Sequence, residues 1–282
     1  MLEQQERFEY CNNIVALFEK SLKKLIKKNA QKYYIGVDLG TACTAIAVFD
    51  EEKKPVAGAY RWSNVVRDGM VVDYIGAVRI VKEMKEELEE KLGHSLHYAA
   101  TAIPPGTMSV DGGVVKNVVE GAGFEIAGIF DEPSAANALL KIEDGAIVDI
   151  GGGTTGISIL KDGKVVYVAD EATGGHHFSL ALAGAYQMSL EEAEEFKRKK
   201  ESHQEIVPVL KPVIEKVASI IMEHAKPYDI KNIYLVGGTS CLTGIEKIIE
   251  KSTGIATYKP DNPLFVTPLG IALQCLKETE AS

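Results

Sequence analysis

Two aspartates, Asp38 and Asp149, stand near the end of short apolar runs and are followed by glycine and threonine. The first run reads YIGVDLGT from residue 34, and the second reads AIVDIGGGTT from residue 146. A run of this kind predicts a buried strand with the carboxylate at its end, and the glycines let backbone N–H groups approach a phosphate. A carboxylate beside such a loop can hold Mg²⁺ through water. The repeat therefore predicts two similar halves that close on a polyphosphate.

A third element of the same kind lies later in the chain. Residues 233–240 read IYLVGGTS and are followed by Gly244 and an apolar-periodic stretch over 245–249. This pattern predicts a buried strand that passes through glycines into a helix. Each element also has an ordinary interpretation, because a single Asp-x-Gly-Thr is a common hairpin turn and strand–glycine–helix junctions occur in many folds. The duplication and the order of the three elements favour phosphate chemistry.

In this order the three elements resemble the phosphate-1, phosphate-2 and adenosine motifs of the actin-like ATPase superfamily, which includes actin, DnaK-type chaperones, MreB, FtsA and sugar kinases. The connecting segments are similar as well. Residues 99–104 resemble the first connector, 131–137 (DEPSAAN) resemble the Glu-Pro motif of DnaK-type proteins, and 267–272 resemble the last connector helix. The resemblance implies an α/β actin-like ATPase fold with two ribonuclease H-like lobes and a nucleotide cleft between them.

Further segments narrow the resemblance to the ethanolamine utilisation protein EutJ family. These segments are 65–69 (VVRDG), 149–155, 170–177 (DEATGGHH) and 189–198 (SLEEAEEFKR). The resemblance covers nearly the whole chain after the first thirty residues. It implies a bacterial, microcompartment-associated protein that is encoded with the enzymes of ethanolamine degradation and has a chaperone-like role.

The resemblance also assigns roles to single residues. Asp38 and Asp149 are predicted to hold Mg²⁺ through water, and Glu132 to orient the attacking water or the metal shell. Glu132 could instead stabilise a helix N-terminus, and Glu194 with Lys197, which match ribose and adenine positions of MreB-like proteins, could instead form a solvent-exposed ion pair. The predicted catalytic residues are Asp38, Glu132 and Asp149, and the predicted residues for binding ATP are Gly40, Thr41, Gly151, Gly152, Gly153, Thr154, Glu194, Lys197, Gly237, Gly238 and Thr239.

Two departures from the DnaK-type pattern bear on hydrolysis. The catalytic Lys of those ATPases has no counterpart in residues 61–74, where Arg67 is either a substitute cation or a turn residue. The position that carries an Arg against the adenine in DnaK-type proteins is Cys241 here. We therefore expect ATP binding, with hydrolysis that is slow at most.

The composition favours a cytoplasmic, two-lobed protein. Among 282 residues, 40 acidic and 31 basic side chains give a net charge of −9, which argues against nucleic-acid binding. No apolar run approaches the ~18 residues of a membrane span. The four cysteines are widely spaced without a CxxC motif, which indicates free thiols, and the adjacent His176 and His177 cannot face one metal from a helix.

Hydrophobic periodicity predicts the same order of elements in both halves. Three strands over 33–60 open the first half, and the second half repeats the scheme from Gly145. Pro208 is predicted to begin a helix, because proline in the first turn loses no hydrogen bond, and Ser189 with Glu192 forms a capping box. The predicted helices are 74–92, 114–122, 133–140, helices beginning at 175, 189 and 208, 242–252 and 265–276. The predicted domains are an N-terminal arm (1–32), lobe I (33–144 with 262–282) and lobe II (145–261).

The N-terminal arm is predicted to be a short amphipathic helix with a basic end. Its apolar positions repeat with alternating spacings of three and four; they are Phe8, Cys11, Val15, Phe18, Leu22 and Leu25. One hypothesis is that the helix packs on its own lobe. The other is that residues 1–30 bind a groove on a partner, which would be a shell protein, an enzyme or a second copy. A membrane-surface helix ranks third.

Three functions remain open. The favoured one is an ATP-binding, DnaK-like chaperone or assembly factor for ethanolamine utilisation, with ATP or ADP and ethanolamine-degrading or microcompartment proteins as partners. The alternative is a nucleotide-dependent scaffold or filament like MreB and FtsA. A small-molecule kinase is less favoured, because acceptor pockets in that class come from insertions that this sequence lacks.

Overall fold

The computed structural model describes residues 2–26, 30–67, 70–104 and 111–281. Asp68 and Gly69, which belong to the quoted family segment, lie outside the described residues, as do the lysines at 27 and 28. The chain divides into two compact units. Unit 1 comprises Met1–Lys141 and Phe265–Ser282, and unit 2 comprises Ile142–Leu264.

Strands and helices follow the predicted order closely. The strands are β1 (Tyr34–Leu39), β2 (Cys43–Phe49), β3 (Pro55–Trp62), β4 (Val66–Arg67), β5 (Met70–Val71), β6 (Tyr98–Ile103), β7 (Glu125–Asp131), β8 (Gly145–Ile150), β9 (Thr155–Lys161), β10 (Lys164–Glu171), β11 (Asn232–Val236) and β12 (Ala256–Tyr258). The helices are α1 (Leu2–Lys23), α2 (Tyr74–Leu92), α3 (Asp111–Gly121), α4 (Glu132–Leu140), α5 (Gly175–Tyr186), α6 (Leu190–Arg198), α7 (His203–Ala225), α8 (Ile245–Thr253) and α9 (Val266–Ala281).

Both units are built on the same five-stranded sheet. The strand order is β3-β2-β1-β6-β7 in unit 1 and β10-β9-β8-β11-β12 in unit 2. In each sheet the first three strands are antiparallel, and the last two run parallel to the central strand. The repeated α/β half that the sequence predicts is therefore present twice, with one topology.

In unit 1 the two faces of the sheet are packed in different ways. Alternation along β1 sends Ile35 and Val37 into a hydrophobic cluster with α2 and α3. The glycine between them, Gly36, faces α9 so closely that a Cβ there would lie 2.5 Å from Ala272 N. Gly270 of α9 lies equally close to α4, where a Cβ would collide with the Ala135 carbonyl oxygen. The backbone of α9 thus packs directly against the backbones of β1 and α4, without side chains between them. This explains the small residues in this predicted connector.

In unit 2 the apolar side of the sheet is covered by helices α5, α7 and α8. The cluster joins Val148 of β8 and Ile157 of β9 to Phe178 of α5, Ile214 of α7 and Ile245 of α8. The capping box at the start of α6 is confirmed, because Glu192 N donates to Ser189 Oγ (3.2 Å) and Ser189 N donates to Glu192 Oε2 (2.8 Å).

Helix α7 corrects one prediction. It begins at His203, five residues before the predicted start at Pro208, and it contains both Pro208 and Pro212. The two prolines are four residues apart and both are exposed, so they share the solvent face of the helix. Proline has no N–H, so the carbonyls four residues before Pro208 and Pro212 lose their helical donors. Because this face is exposed, water can donate to these carbonyls, and the helix tolerates both prolines. The earlier start makes His203 the first residue of α7.

Helix α1 belongs to unit 1 and does not stand apart as an arm. Cys11, Val15 and Phe18 are buried, and the Phe18 ring lies against Gly58 of β3 and 5.0 Å from the ring of Phe265. The middle of the apolar stripe is therefore buried within the protein's own unit, which favours the first of the two hypotheses, and Phe8, Leu22 and Leu25 are partly buried. None of the described helices combines the length and the apolar character needed to cross a bilayer.

We expect Phe18→Ala to lower the free energy of unfolding of unit 1 by about 4 kcal/mol, because it removes a fully buried ring and leaves a cavity. Lys20→Ala, on the exposed side of the same helix, is the matched control and should change the stability by less than about 0.5 kcal/mol. Urea denaturation measures both values. Equal stability of the two variants would return α1 to the role of a recruitment arm.

Candidate functional site

The two Asp-x-Gly loops have the same hydrogen-bonded geometry. Gly40 N donates to Cys43 O (3.1 Å) in unit 1, and Gly151 N donates to Thr154 O (3.0 Å) in unit 2. In the strand pairs that flank the loops, Asp38 is opposite Ala45 and Asp149 is opposite Gly156. The duplication seen in the sequence is therefore a duplication of backbone structure, with Asp38 equivalent to Asp149.

This equivalence changes the predicted roles of two glycines. The N–H groups of Gly40 and Gly151 were expected to face phosphate, but they close the turns. The N–H groups that follow them lie at equivalent positions in the two loops: Thr41 and Ala42 in unit 1, Gly152 and Gly153 in unit 2. Within the described part of the chain, these groups and the N–H of Thr154 donate to no protein acceptor.

The threonines of the two loops also differ from the prediction. Thr41 and Thr154 are partly exposed in their loops but are not equivalent positions. The equivalent threonines are Thr44 and Thr155, which are both fully buried at the start of the second strand. The Thr155 hydroxyl donates to the Thr173 carbonyl, so this residue fixes the loop and does not offer a ligand.

The phosphate-2 loop of unit 2 packs on the N-terminus of α5 without intervening side chains. Gly175 N donates to Gly151 O (2.9 Å), and His176 N donates to Gly152 O (2.8 Å). A Cβ on Gly174 would lie only 2.6 Å from Gly153 C. The loop carbonyls are therefore occupied by the helix, and unclaimed N–H groups remain for an anion.

Asp149 lies beside the adenosine motif because β8 and β11 are parallel neighbours. Asp149 is in register with Val236, and the next residue, Gly237, has φ of +87°. A Cβ on Gly237 would collide with Asp149 Oδ1. Glycine is thus required there twice, for its backbone conformation and for the approach of the carboxylate.

Thr239 holds the adenosine motif to the phosphate-2 loop. Its buried hydroxyl donates to Gly151 O (2.8 Å), the same carbonyl that accepts from Gly175 N. The structure thus brings Asp149, Gly151–Thr154 and Gly237–Thr239 together in unit 2. The occupied hydroxyl of Thr239 makes it a residue that positions the two loops.

The Glu194–Lys197 pair is not the solvent-exposed pair of the alternative hypothesis. The side chains are only 29% and 10% exposed, and Lys197 Nζ lies 2.6 Å from Glu194 Oε2. Lys197 Nζ also donates to Gly175 O (2.7 Å) and Ser179 Oγ (2.8 Å), so the three donors of the ammonium are all used. Ser179 in turn donates to Glu194 Oε2 (2.5 Å). The pair fixes the first turn of α5, the turn on which the phosphate-2 loop packs.

Burial and charge shift both pKa values in this pair downward. Burial lowers the pKa of the Lys197 ammonium, and the Glu194 carboxylate opposes this effect. Burial alone would raise the pKa of Glu194, but the Lys197 ammonium and the hydrogen bonds from Lys197 and Ser179 outweigh it and lower the pKa. Glu194 is therefore an anion at neutral pH.

In unit 1 the predicted residues share one edge of the sheet. Strands β1, β6 and β7 are parallel, so Asp38, near the end of β1, and Glu132, directly after β7, lie at the same edge two strands apart, about 10 Å. The cap of α4 is Asp131, whose carboxylate accepts from Ser134 N (2.9 Å). Glu132 is the first residue of the helix and is half-buried. The dipole role and the catalytic role of Glu132 are both compatible with this position.

Several polar residues around the adenosine motif escaped the sequence-based prediction. Lys259 Nζ donates to the carbonyls of Ser240 (3.0 Å) and Leu242 (2.7 Å). His203 contacts Thr243 and the Lys197 carbonyl. A single Lys or His forms no sequence motif that could be recognised. Because the sequence predicts that α7 begins at Pro208, it places His203 in the loop before this helix. Among the residues that the structure describes, no cluster of three His, Cys, Asp or Glu side chains could hold a metal ion.

Comparison with known proteins finds close relatives of this chain. Over 241 residues it is 46% identical to the ethanolamine utilization protein EutJ of Escherichia coli (strain K12), covering 85% of this chain and 84% of that protein. The crystal structure of ethanolamine utilization protein EutJ from Carboxydothermus hydrogenoformans matches with a TM-score of 0.90 at 46% identity, covering 94% of this chain and 98% of that chain.

More distant similarities concern the fold. The family profile described as type IV pilus assembly protein PilM matches residues 137–263, and the MreB/Mbl protein profile matches residues 58–184. The crystal structure of MreB5 of Spiroplasma citri bound to ADP matches with a TM-score of 0.71 at 19% identity, covering 89% of this chain and 99% of that chain. The predicted actin-like ATPase fold class is confirmed.

Proposed function

This chain belongs to the ethanolamine utilization protein EutJ family, and we propose that it binds ATP with Mg²⁺ and serves as a nucleotide-dependent chaperone or assembly factor for the enzymes of ethanolamine utilisation. The fold supports the nucleotide part of the proposal, since a solved neighbour of the same fold is bound to ADP. The family supports the ethanolamine part. Co-purification from cells growing on ethanolamine tests the proposed action on other proteins.

One observation carries the nucleotide proposal: each unit presents the same loop, with a carboxylate before it and unclaimed backbone N–H groups within it. Polarised N–H groups without a protein acceptor are the donors that phosphate oxygens require. In unit 2 the close contact between Gly174 and Gly153 leaves no room for a side chain on Gly174. These features fit a phosphate-binding loop better than an ordinary hairpin turn, which would not need side-chain-free packing.

Mg²⁺ fits the same residues. It prefers oxygen ligands and keeps several of its waters, so it binds through one or two carboxylates together with substrate phosphates. Asp38 and Asp149 each supply a carboxylate at the start of one of the two loops. When bound, the ion would neutralise charge on the phosphates.

Glu132 is the candidate for orienting the attacking water. It stands at the same sheet edge as Asp38, half-buried at the first turn of α4. Among the described residues of the segment 61–74, which would carry the cation that speeds hydrolysis in DnaK-type proteins, Arg61 and Arg67 are both exposed. We therefore propose slow turnover, which suits a protein that changes state with its nucleotide.

The scaffold or filament hypothesis remains the second candidate. It is favoured by the likeness of residues 58–184 to the MreB/Mbl profile. The assembly-factor hypothesis is favoured by 46% identity to proteins named for ethanolamine utilisation. With α1 buried in unit 1, neither hypothesis relies on a free N-terminal helix.

Mg²⁺ with ATP should raise the melting temperature, because a ligand that binds only the folded state stabilises it by mass action. Asp149→Asn should reduce the Mg²⁺-dependent part of this shift, and Asp38→Asn should do the same. Asp144→Asn is the matched control at the opposite end of β8 and should leave the shift unchanged. Indifference of the wild type to ATP, ADP and GTP would refute the nucleotide proposal.

Hydrolysis should be much slower than the ten or so turnovers per second of an ordinary metabolic enzyme. Glu132→Gln should reduce the rate further at unchanged ATP affinity. Glu125→Gln, at the other end of β7, should match the wild type in both. A wild-type rate of a metabolic kinase, or a Glu132→Gln variant with full activity, would contradict this part of the proposal.

The protein should co-purify with ethanolamine-degrading or microcompartment proteins from cells growing on ethanolamine, and the association should depend on the nucleotide. Comparing the wild type with Asp149→Asn separates nucleotide-dependent association from non-specific binding. In purified form the protein should stay small by light scattering when ATP is added. Large ATP-dependent particles without co-purified enzymes would favour the scaffold hypothesis.

A further inference from the structure

The hydrogen bonds of unit 2 form a closed ring around the adenosine motif. The ring starts at Gly151 O, which accepts from Gly175 N, and continues because Gly175 O accepts from Lys197 Nζ (2.7 Å). The Lys197 carbonyl lies 3.0 Å from His203 Nε2, and Thr243 N donates to His203 Nδ1 (3.0 Å).

The ring closes through the loop 238–244. Leu242 N, next to Thr243, donates to Thr239 O (3.2 Å), and the Thr239 hydroxyl donates back to Gly151 O (2.8 Å). The ring therefore connects the phosphate-2 loop, α5, α6, α7 and the adenosine motif through backbone groups and three side chains.

His203 is the member of the ring that joins α6 to the adenosine motif. Its side chain is almost completely buried, with 6% of the residue exposed. A backbone N–H can only donate, so Nδ1 must be unprotonated to accept from Thr243 N. The proton then resides on Nε2 and is donated to the Lys197 carbonyl. Nδ1 also lies 2.9 Å from the Thr243 hydroxyl, which can donate to Nδ1 in this tautomer. The neutral imidazole with its proton on Nε2 therefore satisfies the Lys197 carbonyl and the backbone N–H of Thr243 at the same time.

We infer that His203 is a positioning residue, whose neutral ring holds the loop 238–244 against α6 and so sets the base side of the nucleotide site. The inference rests on the proposed function, because it assigns a geometry to the nucleotide site proposed above. It adds that nucleotide affinity depends on the protonation of a residue that touches no nucleotide. The imidazole of His203 acts on the loop through its contact with Thr243.

The charges around His203 favour its neutral form at physiological pH. Burial lowers its pKa, and Lys259 from the segment after β12 and Lys200 from the turn before α7 add to this effect. The hydrogen bond to the Lys197 carbonyl and the carboxylate of Glu201 oppose it, while Lys259 is itself paired with Glu246 of α8 (3.2 Å). The hydrogen bond from Thr243 N is therefore intact at neutral pH and is lost as the pH falls through the lowered pKa of His203. Protonated Nδ1 can no longer accept from this backbone N–H and donates to the Thr243 hydroxyl instead.

Two conservative variants separate the contacts of the imidazole. Asparagine can place its oxygen near the position of Nδ1 and accept from Thr243 N, but it cannot reach the Lys197 carbonyl. Glutamine can reach that carbonyl but offers no acceptor to Thr243. We expect His203→Gln to weaken ATP binding by about tenfold, which corresponds to one buried hydrogen bond, and His203→Asn to weaken it less.

The decisive measurement is the ratio of the ATP Kd of His203→Gln to that of the wild type from about pH 7.5 down to about pH 5. Protonation of the nucleotide phosphates changes the Kd of both proteins equally, so it does not affect the ratio. The ratio should fall towards one as the wild-type histidine is protonated. His224→Asn is the matched control, because His224 is also a unit 2 histidine with both ring nitrogens engaged, to Tyr167 (2.8 Å) and Glu171 (2.9 Å), but outside the ring. Its ratio should stay near one at every pH.

A ratio for His203→Gln that stays at one, or that is constant with pH, would overturn the inference while leaving ATP binding in place. If the wild type binds no ATP, the proposed function fails. Amide hydrogen exchange in the absence of ligand then tests whether His203 holds the loop 238–244. In that measurement peptides covering 238–244 should exchange faster in His203→Gln than in the wild type and in His224→Asn. Unchanged exchange would show that His203 does not hold the loop.

Discussion

The carbonyl oxygen of Gly151 accepts two hydrogen bonds, from Gly175 N at the start of α5 and from the Thr239 hydroxyl. Three separate segments meet at this atom, and they meet at backbone distance. A Cβ on Gly175 would lie 2.5 Å from Thr239 Oγ1 and 3.0 Å from Lys197 Nζ, and one on Gly237 would collide with Asp149. The glycines of unit 2 are required by this convergence, and the position of each side chain around it follows from them.

In the proposed site, backbone groups and side chains have different roles. The phosphate side consists of N–H groups whose direction is fixed by the turn from Gly151 to Thr154 and by the packing of α5. The base side is the loop 238–244, whose backbone donates to His203 and accepts from Lys259. Its own Thr239 hydroxyl ties it to Gly151 O. Lys197 links the two sides, because its ammonium holds Gly175 and its carbonyl holds His203. A buried pair of this kind costs desolvation, which is offset here by three well-formed hydrogen bonds.

The repeated sheets and nearly every helix could be predicted from the sequence, because strand ends marked by Asp-x-Gly and helices with regular apolar spacing are local signals. The individual roles within the loops could not. Gly40 and Gly151 look like the phosphate ligands, yet their N–H groups close the turns, a distinction that depends on hydrogen bonds to Cys43 and Thr154. Pro208 was wrong as a helix start because two prolines on one solvent face leave their unpaired carbonyls to water. His203 and Lys259 carry no spacing signal, since each acts through a backbone group distant in sequence.

We propose that the unclaimed N–H groups of the two loops bind the phosphates of ATP. Amide resonances of Thr41, Ala42, Gly152 and Gly153, followed by NMR while Mg²⁺ and ATP are added, test it most directly. We expect large shifts and slower hydrogen exchange for these amides, with smaller effects when adenosine replaces ATP. Saturable ATP binding that leaves these amides unchanged would refute the proposal, because the phosphates would then bind elsewhere.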